Sequence, residues 1–152
     1  MPIWVDADAC PGDIKSILFR AAERSSVLVT LVANQKLMVP ASANIQMMIV
    51  PGGLDEADKR IEEIVQPNDL VVTADVPLAA KVVAKGALAL NPRGHLYTDV
   101  NVGESLLVRN VLTEMRGQGI VTGGPSALSA KDRQAFANQL DRWLAKAKKQ
   151  VR

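Results

Sequence analysis

The 152-residue sequence is poor in several residue types, and each scarcity excludes a class of protein. A single cysteine cannot form an internal disulfide, which excludes a disulfide-stapled scaffold. No apolar run approaches the ~20 residues that span a bilayer, and the residues after Met1 lack the pattern of a signal peptide. These features predict a cytoplasmic protein that has no contact with a membrane.

Aromatic residues and net charge are also low. Two Trp, two Phe and one Tyr argue against an extended base-stacking surface. The net charge of +2, from 18 basic and 16 acidic residues, permits contact with nucleic acid without favouring it. Apolar residues, by contrast, make up 48% of the chain, which is enough for one globular domain with its own core. We therefore expect a single domain over residues 1–152.

Short apolar runs alternate along the chain with helical patterns. This alternation predicts an α/β fold with three layers, α/β/α, around a mostly parallel sheet. Each predicted strand is nearly continuous in apolar residues, as strands buried on both faces are: Pro2–Asp6, Val27–Ala33, Ile45–Val50, Leu70–Thr73 and Ala87–Leu90. Apolar spacing and end signals predict five helices, at Pro11–Arg24, Leu54–Val65, Val76–Lys85, about 101–116 and about 129–148, with a glycine-rich connector at Gly117–Ser126.

Acidic residues follow two of the predicted strands. Asp6 and Asp8 come after the first strand, and Thr73 and Asp75 come after the fourth. Ligands of an open parallel sheet bind at the carboxyl ends of its strands. If the two strands are neighbours, about 4.8 Å apart, Asp6, Asp8 and Asp75 converge. Three ionised carboxylates in one pocket require a cation, and oxygen ligands select Mg²⁺ or Mn²⁺. The pattern thus predicts metal-assisted phosphodiester hydrolysis.

Each of these residues also has a purely structural interpretation. Asp75 and Asp8 both precede predicted helices, where an aspartate commonly serves as the N-cap. Asp55 suits the positive end of the second helix, so capping or a dipole interaction is favoured over a ligand role. For Asp58 both interpretations stay open. A phosphatase loop of the Cys-x5-Arg kind would need an arginine at position 16, which is Ser16, so Cys10 is interpreted as a small core residue.

Several short motifs in a fixed order carry a resemblance to a known family. The motifs are Asp6-Ala7-Asp8-Ala9-Cys10-Pro11, Val32-Ala33-Asn34, Asp55 with Ala57-Asp58, Thr73-Ala74-Asp75-Val76-Pro77-Leu78-Ala79, Asn91-Pro92-Arg93-Gly94, and Gly123-Gly124-Pro125 with Asp132-Arg133 and Phe136. Together they resemble the YaiI/YqxD family of uncharacterised bacterial proteins, over the range from Trp4 to about Leu144.

That family is grouped with PIN-like domains, which implies a parallel sheet of strand order 3-2-1-4-5 and an acidic pocket at the strand ends. By resemblance, Asp6 and Asp75 match two acids of the PIN pocket, Asp8 is an additional family position, and Asp58 is a counterpart of an intervening acid. Many PIN nucleases carry a further acid on the next strand, and this chain has no match for it. The resemblance therefore implies a fold more firmly than an activity.

The leading prediction is a divalent-metal-dependent nuclease that acts on RNA, with Mg²⁺ or Mn²⁺ as cofactor and RNA or another nucleic acid as partner. Its catalytic carboxylates are predicted to be Asp6, Asp8 and Asp75. The predicted metal ligands are Asp6, Asp8, Asp75 and Asp58. Residues expected to contact the scissile phosphate or to order the acids are Asn34, Thr73 and Arg93.

Two alternatives belong to different classes. The pocket of a non-catalytic module would bind metal and nucleic acid, or a protein partner, without turnover, which the missing further acid favours. A haloacid-dehalogenase-like phosphatase would use Asp6 as nucleophile and Asp8 as acid, and Thr73 could supply its later hydroxyl. That enzyme also needs a second acidic pair after the fourth strand, where only Asp75 is found.

Overall fold

The computed structural model describes residues 1–53, 55–117 and 127–150. Most of the predicted connector Gly117–Ser126, with the Gly123-Gly124-Pro125 motif, lies outside the described residues. In the part that is described, no helix combines the length and the apolar character needed to cross a bilayer.

The described residues contain one six-stranded sheet in the order β3-β2-β1-β4-β5-β6. Its strands are β1 (Ile3–Asp6), β2 (Val29–Ala33), β3 (Ile45–Ile49), β4 (Leu70–Val72), β5 (Leu88–Leu90) and β6 (Leu96–Tyr97). The first five are parallel, and β6 pairs antiparallel with β5. The five predicted strands and the order 3-2-1-4-5 are confirmed, whereas β6 was not predicted.

Each of the five predicted helices overlaps a helix of the structure. They are α1 (Gly12–Ser25), α2 (Glu56–Ile64), α3 (Val76–Ala84), α4 (Val102–Gly117) and α5 (Ala130–Gln150). The start of α5 is fixed by a reciprocal pair of hydrogen bonds. The backbone N–H of Asp132 donates to Ser129 Oγ at 3.1 Å, and the N–H of Ser129 donates to Asp132 Oδ2 at 3.1 Å.

Helices cover both faces of the sheet. Successive side chains of each strand point to opposite faces, so each strand contributes to two separate cores. On one face, Ile3 and Val5 of β1 pack in a core shared with α1 and α5, which contributes the fully buried Phe136. On the other face, Trp4 packs in a core shared with α2 and α3, and α4 packs against α3. This arrangement is the predicted three-layer α/β/α fold.

The register of β1 explains why residues distant in sequence meet. Val5 lies opposite Leu31 of β2 on one side and Val72 of β4 on the other. Parallel strands in this register end at the same edge of the sheet. Asp6, at the end of β1, and Thr73, directly after β4, therefore lie side by side.

Candidate metal centre

Three carboxylates gather at the carboxyl edge of the sheet. Ligand oxygens of Asp55, Asp58 and Asp75 all lie within 4.8 Å of one another. Asp55 and Asp58 belong to the start of α2, and Asp75 belongs to the start of α3. Oxygen atoms at this spacing can share one hard cation, because Mg²⁺ binds one or two carboxylates and completes its shell with water.

Asp75 has a structural task as well as a place in the cluster. It is the N-cap of α3, and its Oδ1 accepts a hydrogen bond from the backbone N–H of Leu78 at 3.0 Å. The capping interpretation is therefore correct, yet it does not exclude a ligand role, since a carboxylate has two oxygens and about four lone-pair sites. The cap holds the carboxylate in place at the edge of the cluster.

Asp55 occupies the N-cap position of α2 but does not cap it with its side chain. Its backbone is left-handed, with φ 63°, and its side chain makes no capping hydrogen bond within the described part of the chain. The side-chain cap is therefore not observed in the described residues, whereas the place of Asp55 at the start of α2 agrees with the dipole interpretation. The carboxylate lies instead beside those of Asp58 and Asp75. A left-handed aspartate carries strain of about 1–2 kcal/mol.

Asp6 is joined to Asp75 through the hydroxyl of Thr73. Thr73 Oγ1 donates to Asp6 Oδ2 at 3.1 Å and accepts from the backbone N–H of Asp75 at 3.0 Å. Both side chains are removed from water, with Asp6 9% exposed and Thr73 2% exposed. Since a threonine hydroxyl has only one proton, this geometry fixes the carboxylate and the α3 N-cap relative to each other.

Asp8 is not one of the three clustered acids. It is exposed, within the single 3-10 turn Ala7–Ala9, and its Oδ2 accepts from the backbone N–H of Asn34 at 3.0 Å. This bond ties the end of β1 to the end of β2. The contact uses the main chain of Asn34, whose side chain is exposed.

Burial and the repulsion between neighbouring acids both raise pKa values in the site. Burial, a hydrogen bond with Asp75 and the negative charges of Asp75, Asp6 and Asp55 raise the pKa of Asp58 from 3.8 to about 7. Burial also raises the pKa of Asp6, against the Thr73 hydrogen bond, which lowers it, and the charges of Asp75 and Asp8 raise it further. Four or more acids thus act on one another across the strand ends.

Arg93 lies after β5 and is paired with α5. Its Nη1 donates to Asp132 Oδ2 at 2.7 Å, and its backbone N–H donates to Asn91 Oδ1 at 2.6 Å. The next residue, Gly94, has φ +91° and approaches the backbone of α5 so closely that a Cβ would lie 2.5 Å from that of Ala135. Arg93 therefore helps to dock α5 against the sheet edge.

Cys10 is a buried core residue, as predicted. Burial raises the pKa of its thiol to about 12, and the nearby Lys15 lowers it by less. The thiol is therefore protonated at neutral pH, which excludes a thiolate nucleophile at this position.

Among the sequence-predicted site residues, the structure brings Asp58 and Asp75 into direct proximity and links Asp6 to them through Thr73. Asp55 is the member of the cluster that sequence reasoning missed. Its signal was the three-residue spacing to Asp58, which places two side chains on one side of a helix start.

Comparison with known proteins identifies the family. A family model described as "Uncharacterized BCR, YaiI/YqxD family" matches residues 4–146. The chain is 57% identical over 151 residues to a UPF0178 protein of Cronobacter sakazakii, covering 99% of this chain and 100% of the relative. It is 58% identical over 149 residues to a UPF0178 protein of Shewanella amazonensis, covering 98% and 100%. No solved structure matches the chain. The chain belongs to the YaiI/YqxD family.

Proposed function

We propose that this protein is a divalent-metal-dependent phosphodiesterase of the PIN-like class that hydrolyses RNA. The observation that carries the proposal is the convergence of Asp55, Asp58 and Asp75 within 4.8 Å at the carboxyl edge of the sheet, with Asp6 adjoining them through Thr73. The strand order 3-2-1-4-5 is the order that the PIN-like resemblance implies.

The donor set fits a hard divalent cation. All the groups offer carboxylate oxygen, which suits Mg²⁺ or Mn²⁺ and not the softer metals that select thiolate or imidazole. The electrostatics support the fit: burial is the largest cause of the raised pKa of Asp58, and the charges of Asp75, Asp6 and Asp55 add repulsion that a cation would offset. Asp55, Asp58 and Asp75 would hold the ion, with Asp6 as a further ligand.

The protein's own residues would orient the attacking water and hold the carboxylates in place. A bound Mg²⁺ or Mn²⁺ would stabilise the charge that develops on the phosphoryl oxygens and would lower the pKa of a bound water. Asp6 presents a nearly buried carboxylate that would orient the attacking water beside the ion. Thr73 fixes the direction of that carboxylate, and Asp8 secures the adjoining turn through Asn34.

A cleavage assay with purified protein tests the proposal. The substrates are labelled single-stranded and structured RNAs with Mn²⁺, and the products are resolved on gels. We expect cleavage that EDTA abolishes and that Asp6→Asn and Asp75→Asn each reduce by at least about 100-fold. Asp99→Asn, which removes an exposed carboxylate outside the cluster, should retain full activity.

A metal-dependent binding module is the second candidate, and one observation favours it. Where many PIN nucleases carry a further acid, this chain has Asn91 and Arg93, and their side chains are engaged in the turn and in the ion pair with Asp132. RNA binding without cleavage would support this candidate. An aspartyl-phosphate trapped on Asp6 would instead support the phosphatase alternative, because hydrolysis by an activated water forms no such intermediate.

A further inference from the structure

A groove of about 500 Å³ opens between α3, β6 and α4. Its volume lies within the range of roughly 300–1,000 Å³ that small-molecule sites occupy. Val76, Val108 and Leu112 give the groove an apolar lining. Val108 is 52% exposed and Leu112 is 36% exposed, so α4 presents apolar surface to the groove that no other described element covers.

The groove extends to the residue that follows one member of the acidic cluster. Val76 lines it and directly follows Asp75, whose carboxylate belongs to the acidic cluster. Tyr97 also lines it, and its Oη accepts a hydrogen bond at 3.4 Å from Nδ2 of Asn91, which follows β5 at the same edge of the sheet. A polymer whose scissile bond lies at the cluster therefore has this groove within reach.

The end of the groove at the start of α4 is held in place by Asn101. Its Oδ1 accepts from the backbone N–H of Thr98 at 2.9 Å, and its Nδ2 donates to the carbonyl of Leu96 at 2.9 Å. These bonds tie the first turn of α4 to β6. A groove held in this way is formed before its ligand arrives, which reduces the ordering cost of binding.

The polar groups around the groove suit a nucleoside. The exposed ring of His95 contacts the buried ring of Tyr97 edge to face, with centroids 4.7 Å apart and planes at 81°. A fixed aromatic ring of this kind can stack on a base. At the exposed rim, Arg109 offers a cation to a phosphate, and Glu104 offers a carboxylate to an exocyclic amino group.

We infer that this groove binds one nucleoside of a single-stranded nucleic acid, adjacent to the phosphodiester that lies at the acidic cluster. The inference rests on the proposed function. A single strand is required because a base in a duplex is already stacked and paired, whereas an unpaired base can enter a pocket. One stacking position, rather than an extended surface, matches a chain with so few aromatic residues.

Binding of two oligonucleotide probes tests the inference. The first is a short fluorescent RNA with phosphorothioate linkages, and the second is an oligomer of equal length and linkage that lacks its bases. Both are titrated in Mg²⁺ and followed by anisotropy. We expect the RNA to bind about tenfold more tightly than the baseless oligomer. Val108→Glu and His95→Ala should each remove most of that difference.

Val111→Glu is the matched control for Val108→Glu. Val111 lies on the same helix, is 48% exposed and does not line the groove. The Val111→Glu variant should bind both probes as the unmodified protein does. Equal affinities of the two probes, or equal effects of the changes at Val108 and Val111, would overturn the inference.

Hydrolysis of bis(p-nitrophenyl) phosphate, a diester without a nucleobase, tests the proposed function separately. Base-dependent binding without any hydrolysis would refute the nuclease and leave the groove assignment standing.

Discussion

Replacing Asp58 by asparagine should stabilise the metal-free protein at alkaline pH. The carboxyl of Asp58 shares its surroundings with the carboxylates of Asp55, Asp75 and Asp6, and its pKa is raised to about 7. Above that pH the folded protein holds an extra, unneutralised negative charge that the unfolded chain keeps in water. An amide has nearly the same shape, carries no charge and can still donate a hydrogen bond to Asp75.

The sign follows from proton linkage. Because the pKa of Asp58 is higher in the folded state than its ordinary 3.8, the folded protein binds more protons than the unfolded chain between about pH 4 and pH 7. Stability should therefore fall as the pH rises through this window. The full shift corresponds to about 4 kcal/mol. Since the side chain is partly exposed, solvent screening reduces the expected effect to about 1–2 kcal/mol.

Urea denaturation in EDTA at about pH 5 and about pH 8 measures this effect. The unmodified protein should have a lower free energy of unfolding at the higher pH, and Asp58→Asn should remove about 1–2 kcal/mol of that loss. Asp99→Asn removes an exposed carboxylate outside the cluster and should leave the loss unchanged. If Asp58→Asn is no more stable than the unmodified protein at the higher pH, the crowding of charges at Asp58 is refuted.

Two further predictions concern the supports of the site. Thr73→Val should lower the free energy of unfolding by about 1–3 kcal/mol and weaken Mn²⁺ binding, because the buried carboxylate of Asp6 loses its hydroxyl donor. Thr73→Ser keeps the hydroxyl, so calorimetric titration showing equal losses in both variants would contradict a positioning role. Gly94→Ala should cost about 2–4 kcal/mol in thermal or urea unfolding, because φ is +91° and the added Cβ would lie 2.5 Å from that of Ala135. Gly12→Ala is its control, with no atom within 4 Å of the added Cβ, and an equal loss there would contradict this reasoning.

The sequence was sufficient for most of the fold because the strands carry a strong signal. The strands β1, β2 and β4 are almost entirely buried, and their nearly continuous apolar runs end close to the observed bounds. The edge strand β3 is an exception to the expected burial on both faces, because Gln46 and Ile49 are exposed. The sixth strand, Leu96–Tyr97, has two residues and lies at the edge of the described sheet, beside β5, so it has no periodicity to detect. Strand order came from the family resemblance, because local pattern does not determine which strands become neighbours.

The site was predictable as a region rather than as a set of contacts. Strand ends predicted where Asp6 and Asp75 lie, since parallel strands deliver their following residues to one edge. Asp55 has a left-handed backbone and makes no side-chain cap in the described residues, and no sequence pattern specifies that conformation. The partners of Thr73 and Arg93 are likewise tertiary contacts, with residues 67 and 39 positions away along the chain.

Anomalous diffraction from crystals soaked in Mn²⁺ would show directly whether the clustered carboxylates bind a metal. We expect one strong peak at the carboxyl edge of the sheet, about 2.0–2.3 Å from carboxylate oxygens of Asp58 and Asp75. Asp75→Asn crystals soaked in the same way should show a weaker peak or none. A fully soaked crystal with no manganese at these carboxylates, or with manganese only elsewhere on the protein, would contradict this expectation.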